Sequence, residues 1–385
     1  MTDRFRWHPA ARLIAGAGRR FAPQPATGAV LADGAEGLAQ AMGLAAFRIG
    51  APGDPPPAAT GEPVLETLTG GSTGAPRRIR RTQASWIASF AVNARLGIGP
   101  GARVAILGSL EHSLALYGAV EGLHLGAEVH LLRTRHPGRQ AGALAARRIT
   151  HLYATPARLR LLVEAQAACP GLRQVLVGGS KLDAGLRAAV QAMAPAAVVT
   201  EFYGAAETSF VTLTDAATPP GSVGRAYPGV EITLDPDGAI WVRSPYLFQG
   251  YAGDPGSARW RDGWLSVGEV GRLEGGLLSL CGRAGRMVTV ADQNVFPEAI
   301  EAMIAALPGV RRAAVLPVAD ARRGAVLVAM VQGDRAEADR IMAALKAELG
   351  PLKAPRALIW QDEWPLLPSG KTDLRALEAR LAWPG

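Results

Sequence analysis

Thr69-Gly70-Gly71-Ser72-Thr73-Gly74-Ala75-Pro76-Arg77 follows directly on the apolar run Val64-Leu65-Glu66-Thr67-Leu68. A short apolar run that breaks into glycines and hydroxyls reads as a strand entering a loop. Glycines let backbone N–H groups approach an anion closely, and hydroxyls and an arginine can close around it. The spacing is not that of the G-x-x-x-x-G-K-[ST] phosphate loop. Taken alone, such a turn is more often an ordinary loop than a phosphate cradle.

Downstream, helices and strands alternate. Ser85 to Leu96 and Ser113 to Leu123 read as helices. Ala102 to Leu107, Glu128 to Leu132, Thr150 to Tyr153, Gln174 to Val177 and Ala197 to Glu201 read as buried strands. That alternation predicts an α/β fold of layered sheets and helices. From Gly221 to Leu280 the strands shorten and Asp235-Pro236-Asp237-Gly238 marks a hairpin turn, so a β-rich subdomain is expected. The last hundred residues read as a small α+β domain: a helix over Pro297 to Ala306, strands over Ala313 to Pro317 and Val326 to Gln332, and a helix over Ala336 to Leu349. The expected domains are 1–284 and 285–385. Upstream, residues 1 to 60 show no sharp pattern, and Ala51 to Pro57 reads as a loop.

At 385 residues the chain is too long for one ordinary core, and 49% apolar with 19% charged residues describes a globular protein. The formal charge is +8, carried by scattered arginines and only four lysines, Lys181, Lys346, Lys353 and Lys371. Scattered charge does not make a nucleic-acid stripe, so no nucleic-acid partner is expected. Cys169 and Cys281 have no metal spacing and suit a reducing compartment. No window reaches the roughly 18 uncharged apolar residues of a membrane span, and a cytoplasmic location is expected.

Four further segments bear chemistry. In Glu201-Phe202-Tyr203-Gly204-Ala205-Ala206-Glu207-Thr208 an aromatic can stack on a purine, and a carboxylate at a strand end can hold Mg²⁺. In Asp262-Gly263-Trp264-Leu265-Ser266-Val267-Gly268-Glu269 a carboxylate on a glycine-flanked turn suits two ribose hydroxyls. Gly282-Arg283-Ala284-Gly285-Arg286 runs on to Pro297-Glu298-Ala299-Ile300-Glu301, where acids favour a helix start. Leu367-Pro368-Ser369-Gly370-Lys371-Thr372-Asp373 puts a lysine, a compact charge on a flexible stem, on a turn near the chain's end. Each alone reads as readily as a core aromatic, a solvated carboxylate or a surface lysine.

In this order, from about Thr67 to Leu377, the five segments resemble the adenylate-forming superfamily: acyl- and aryl-CoA synthetases, peptide-synthetase adenylation domains and luciferases. Gly178-Gly179-Ser180, Gly221-Ser222-Val223-Gly224-Arg225 and Ser244-Pro245 to Gly250-Tyr251 fit its supporting segments. The resemblance implies a large N-terminal domain and a small mobile C-terminal domain that rotates between two reaction steps.

The same resemblance implies the chemistry. A carboxylic acid attacks the α-phosphate of Mg·ATP, and a thiol then takes the acyl group from AMP. Thr69, Gly70, Gly71, Ser72, Thr73, Gly74 and Arg77 would grip the β/γ-phosphates, with Thr73 and Glu207 toward Mg²⁺. Gly178, Gly179, Ser180, Tyr203 and Gly204 would lie along the nucleotide. Glu269 would take the ribose hydroxyls with Arg283 assisting. Lys371 would bridge carboxylate and phosphate, and His112 would stand at the acyl pocket.

Several positions depart from the family pattern: Gly70 for Ser, Arg77 for Lys, Ala206 for Thr, Glu269 for Asp, Arg286 for the hinge Asp or Lys, and Asp292 for Gly. Only 68 residues precede the loop, which implies a compact member. The expected acceptor is CoA. A carrier-protein phosphopantetheine, or a degenerate non-catalytic nucleotide-binding protein, are the alternatives.

Overall fold

The structure, a computed structural model, describes residues 4–50, 55–59, 61–69, 76–133, 136–253, 256–290, 293–320, 324–367 and 370–381. Its backbone is an eleven-stranded mixed sheet. The centre is parallel: Val198–Ala205, Gln174–Val177, His151–Ala154, Arg103–Ile106, Glu128–Leu131 and Arg12–Ala15 lie side by side in that order. Strands buried on both faces read as apolar runs, which is why all of these but Arg12–Ala15 were legible. The helices Ser113–Leu125, Pro137–Ala146, Pro156–Glu164 and Ala184–Met193 supply crossovers between them. Antiparallel strands, ending with Leu277–Arg283 and Glu269–Glu274, extend one flank.

Residues 1 to 60 carry more structure than their sequence suggested. Arg12–Ala15 adds to the edge of the main sheet beside Glu128–Leu131, and Arg19–Phe21 turns back on it. Val30–Leu31 and Ala46–Ile49 join Val64–Leu68, Arg78–Thr82 and Gly250–Tyr251 in a five-stranded sheet, with the helix Ala35–Ala41 between. These strands of two to four residues are too short to show a period, and Arg12–Ala15 pairs with Glu128–Leu131, far along the chain. The β-rich subdomain is a four-stranded sheet of Glu231–Leu234, Ile240–Arg243, Trp264–Ser266 and Arg259–Arg261.

From Val288 onward separate apolar cores form. Val290, Ile300, Val315, Leu327, Val331 and Ile341 make one, and Leu316, Met330, Trp364 and Leu377 another. They sit on a three-stranded sheet of Val310–Asp320, Gly324–Gly333 and Leu358–Trp360, packed by the helices Pro297–Ala305 and Ala338–Lys353. Gly350, at φ 73°, breaks the latter helix just before Pro351, the stop that the sequence marks. Arg286 is clamped to this part of the chain: its guanidinium reaches Glu301 at 2.8 Å, Glu298 at 3.3 Å and the Val315 carbonyl at 3.1 Å. Burial works against its charge, but the two glutamates outweigh it and raise its pKa.

Candidate active site

The C-terminal ends of the parallel strands open into a cleft of about 1120 Å³. Open α/β sheets bind ligands at this edge, because the loops leaving the strands converge there with free backbone groups. The cleft takes residues from distant parts of the chain: Thr69 and Arg77, His112, Gly179 and Ser180, Tyr203, Gly204 and Glu207, Glu269 and Arg283, and Lys371.

Thr69 and Arg77 close the stalk of the glycine loop. The Thr69 N–H donates to the Arg77 carbonyl at 2.8 Å, and the Arg77 N–H donates to Thr69 Oγ1 at 2.9 Å. The strand pair Val64–Leu68 and Arg78–Thr82 therefore feeds a loop pinched at its base. Gly70, Gly71, Ser72, Thr73 and Gly74 lie outside the described residues. The stalk is tied to the turn that carries His112, since the Leu68 N–H donates to the Glu111 carbonyl at 2.8 Å and Thr67 Oγ1 lies 2.6 Å from Ser113 Oγ. Asp33 fixes that turn from behind, accepting from Ser109 Oγ at 2.8 Å and the Leu110 N–H at 3.1 Å. His112 precedes the first turn of the Ser113–Leu125 helix, and its Nδ1 is buried with no partner among the described residues. The residue itself lines the cleft.

Tyr203 and Glu207 come from the end of the Val198–Ala205 strand and the turn after it. At Gly204 a Cβ would meet the Ser209 carbonyl oxygen at 1.8 Å, so only glycine permits this bulged approach. Glu207 Oε1 accepts from the Tyr251 hydroxyl at 2.9 Å. Behind the same turn lies Arg81, wholly buried. Its guanidinium donates to the Ala206 carbonyl at 2.6 Å, Ser209 Oγ at 2.7 Å and the Tyr246 carbonyl at 3.2 Å. Burial lowers its pKa to about 9, and the charge of Glu207 pulls the other way. Sequence reasoning passed over Arg81 because Arg80-Arg81 looks like surface charge. The alternation Ile79–Arg81 along the strand, inward on one face, was the available signal.

Glu269 is gripped from both sides. The Tyr203 hydroxyl donates to its Oε2, and Arg283 lies 3.5 Å from its Oε1 across the paired strands. Burial, then the Glu269 charge, raise the Tyr203 pKa well above the usual tyrosine range, so the phenol stays a donor. Gly179, at φ 92°, and Ser180 line the cleft, whereas Gly178 does not: its Cα is covered by the Phe202 ring, which a Cβ would meet at 2.2 Å. Glu201 is a buried brace, accepting from the Leu182 N–H at 3.0 Å to hold the turn that follows Gly178.

Lys371 arrives from the C-terminal domain on a tight turn. The Leu367 N–H donates to the Lys371 carbonyl at 2.8 Å, and Trp364 Nε1 donates to Thr372 Oγ1 at 3.0 Å. Gly370, at φ 82°, seats the turn against Ala157 at the start of the Pro156–Glu164 helix, 3.1 Å from where its Cβ would be. Burial and the neighbouring Arg283 push the Lys371 ammonium below the ordinary lysine range, while Glu269 and Glu207 hold it up. The lysine thus stands between the Glu207 turn and the Glu269–Arg283 pair.

Among the described residues no three acidic, histidine or cysteine side chains cluster to hold a metal. A lone carboxylate fits Mg²⁺ arriving on a triphosphate, because that ion keeps waters and phosphate oxygens and takes one or two protein carboxylates. Among the described residues no helix is long and apolar enough to cross a membrane.

Known proteins share this chain's family sequence pattern and its fold. The family model described as AMP-binding enzyme matches residues 15–252, and that described as AMP-binding enzyme C-terminal domain matches residues 299–371. The uncharacterized acyl–CoA ligase YhfT of Bacillus subtilis is 32% identical over 324 residues, which span 80% of this chain and 67% of the relative. The chain therefore spans about two thirds of that relative's length. The ATP-bound structure of MatB from Rhodopseudomonas palustris superposes with a TM-score of 0.74 at 24% identity, over 84% of this chain and 69% of that one. The amide bond synthetase McbA from Marinactinospora thermotolerans superposes with a TM-score of 0.73 at 26% identity, over 83% and 69%. With its stalked glycine loop, its Tyr203–Glu269–Arg283 cluster and a lysine delivered by a separate C-terminal domain, the chain belongs to the AMP-binding enzyme family, the adenylate-forming superfamily of AMP-forming acid ligases.

Proposed function

We propose that this chain activates a carboxylic acid with Mg·ATP and passes the acyl group to the thiol of CoA. The observation that carries the reading is Lys371, a C-terminal-domain residue lining one cleft with Glu207, Glu269 and Arg283. In the first step a carboxylate oxygen attacks the α-phosphorus, the bond to the β-phosphate oxygen breaks, and pyrophosphate leaves with the electron pair. Lys371 offsets charge on the attacking carboxylate and the α-phosphate, which would otherwise repel each other. Glu207 would hold the Mg²⁺ that enters with the phosphates, and the loop from Thr69 to Arg77, through Thr73, would take the β/γ-phosphates. Tyr203, Gly179, Ser180 and Gly204 lie along the nucleotide. Glu269, oriented by Tyr203 and Arg283, accepts from the ribose hydroxyls. In the second step the thiolate attacks the acyl carbon, the carbon–oxygen bond to AMP breaks, and AMP leaves.

With the boundary taken at 284/285, rotation of the C-terminal domain would withdraw Lys371 and admit the thiol. ATP and a reduced thiol as co-substrates fit a cytoplasmic setting. Arg286, where the family pattern has a hinge Asp or Lys, has a structural role through its bonds to Glu298 and Glu301; Asp292 lies outside the described residues. The test is pyrophosphate release over a panel of acids, followed by CoA or a phosphopantetheinyl carrier protein offered to the adenylate formed. Thioester on CoA supports the reading. Transfer to the carrier protein alone replaces the acceptor, and no pyrophosphate with any acid leaves a non-catalytic nucleotide binder.

A further inference from the structure

Behind His112 the cleft is walled by rings. Trp86, Tyr117, Tyr153, Phe202 and Phe210 all line it. They touch in series: Trp86 to Tyr117 at 5.2 Å, Tyr117 to Phe210 at 5.2 Å, Phe210 to Phe202 at 4.6 Å and Tyr117 to Tyr153 at 6.1 Å between centroids. Two glycines admit this wall. A Cβ at Gly118 would lie 2.7 Å from the Tyr153 ring, and one at Gly178 would lie 2.2 Å from the Phe202 ring.

The two tyrosine hydroxyls of the wall point into a wholly buried cluster around Glu121. Tyr117 donates to the Glu121 carboxylate at 3.0 Å, Asn93 donates to it at 2.9 Å, and Tyr153 donates to its other oxygen. Tyr227 in turn donates to Asn93 Oδ1 at 2.8 Å. A tyrosine whose hydroxyl is spent on a buried carboxylate shows the ligand only carbon, and it cannot swing aside without giving up a buried hydrogen bond. Tyr117 lies on the Ser113–Leu125 helix and His112 on the turn that precedes it, so one short segment lines the cleft with both. A recess closed by a wall of rings takes an aromatic ring or a short chain.

We propose that Tyr117 and Tyr153, held from behind by Glu121 and Asn93, form with Phe202 a fixed end wall of the acyl recess and confine the substrate to compact acids, aromatic carboxylates foremost. The inference rests on the reading of this cleft as an acid-activating site. Flat rings stack and edge onto such a wall with favourable geometry. A long alkyl chain would have to displace it.

The test uses the full chain and ATP–pyrophosphate exchange, which reads the first step alone, with benzoate, phenylacetate, butanoate, octanoate and dodecanoate. The expected order puts benzoate or phenylacetate at least about tenfold above dodecanoate in kcat/KM, the scale on which a shaped pocket discriminates. Phe202→Ala, and in smaller degree Phe202→Leu, should narrow that ratio by raising exchange with the longer acids. Dodecanoate equal to or better than the aromatic acids overturns the wall while leaving acid activation standing. Equal loss for every acid in both variants also overturns it. No exchange with any acid removes the reading beneath it.

Discussion

The Tyr203 hydroxyl donates to Glu269, so the residue proposed to lie along the nucleotide and the residue proposed to hold its ribose are one hydrogen-bonded unit. The pairing accounts for a glutamate where the family pattern has an aspartate. The longer side chain reaches back to Tyr203 and still meets Arg283 at 3.5 Å. Tyr203→Phe removes a donor to a carboxylate, an interaction of about 1.5–3 kcal/mol in a buried setting. The expected result is a KM for ATP raised about tenfold or more with the acid KM little changed. Glu269→Asp should do the same by breaking both contacts. Steady-state kinetics with each substrate varied in turn checks this.

Arg81 and Glu207 predict a metal phenotype. Arg81 holds the Ala206 and Tyr246 carbonyls from a buried position, and its loss leaves them unpaired beside Glu207, the residue proposed to hold Mg²⁺. Arg81→Met should raise the Mg²⁺ concentration needed for half-maximal pyrophosphate release by about tenfold, beyond any loss of melting temperature. Arg81→Lys keeps the charge but not the planar fork, and should fall between. An unchanged Mg²⁺ dependence in a folded Arg81→Met protein would separate Arg81 from the site.

Lys371 sets a pH limit. Its lowered pKa, from burial and then Arg283, means the charged form is lost earlier than the ordinary lysine value of 10.5 as pH rises. Since the charged form does the work, pyrophosphate release should fall on an alkaline limb below that value. Lys371→Arg, which stays charged, should lose the limb whatever its absolute rate. A pH–rate profile of the first step reads it directly.

Glu121 gives a stability prediction. Burial raises its pKa from 4.5 to about 7, against hydrogen bonds that lower it. A carboxyl whose folded pKa lies above its unfolded value supports the fold fully below about pH 4.5 and loses that support as pH rises through about 7. The loss is on the order of 3 kcal/mol at most. Glu121→Gln mimics the neutral acid and has no such loss. Its melting temperature should gain on the parent between those two pH values and run parallel above them.

Much of this was legible before any coordinates. The parallel core showed because Gln174–Val177 and its neighbours are buried on both faces, and the lysine turn showed because lysine is so rare in this chain. The end wall and Arg81 did not show. Glu121 sits within an otherwise apolar helix, four residues after Tyr117, and a carboxylate there was the clue that something behind it must pair. Its partners Asn93 and Tyr153 come from elements that only the fold brings together. The strand Arg12–Ala15 was hidden for the same reason, since its partner begins at Glu128.

The account stands on a tail-domain lysine that serves one half-reaction. Lys371→Ala should be measured in both halves: pyrophosphate release from ATP and acid, and thioester formation from acyl-adenylate supplied ready-made. Loss of about 10²–10³ in the first, with the second kept, is the predicted result. Pyrophosphate release that survives the substitution, or equal loss in both halves, would contradict it.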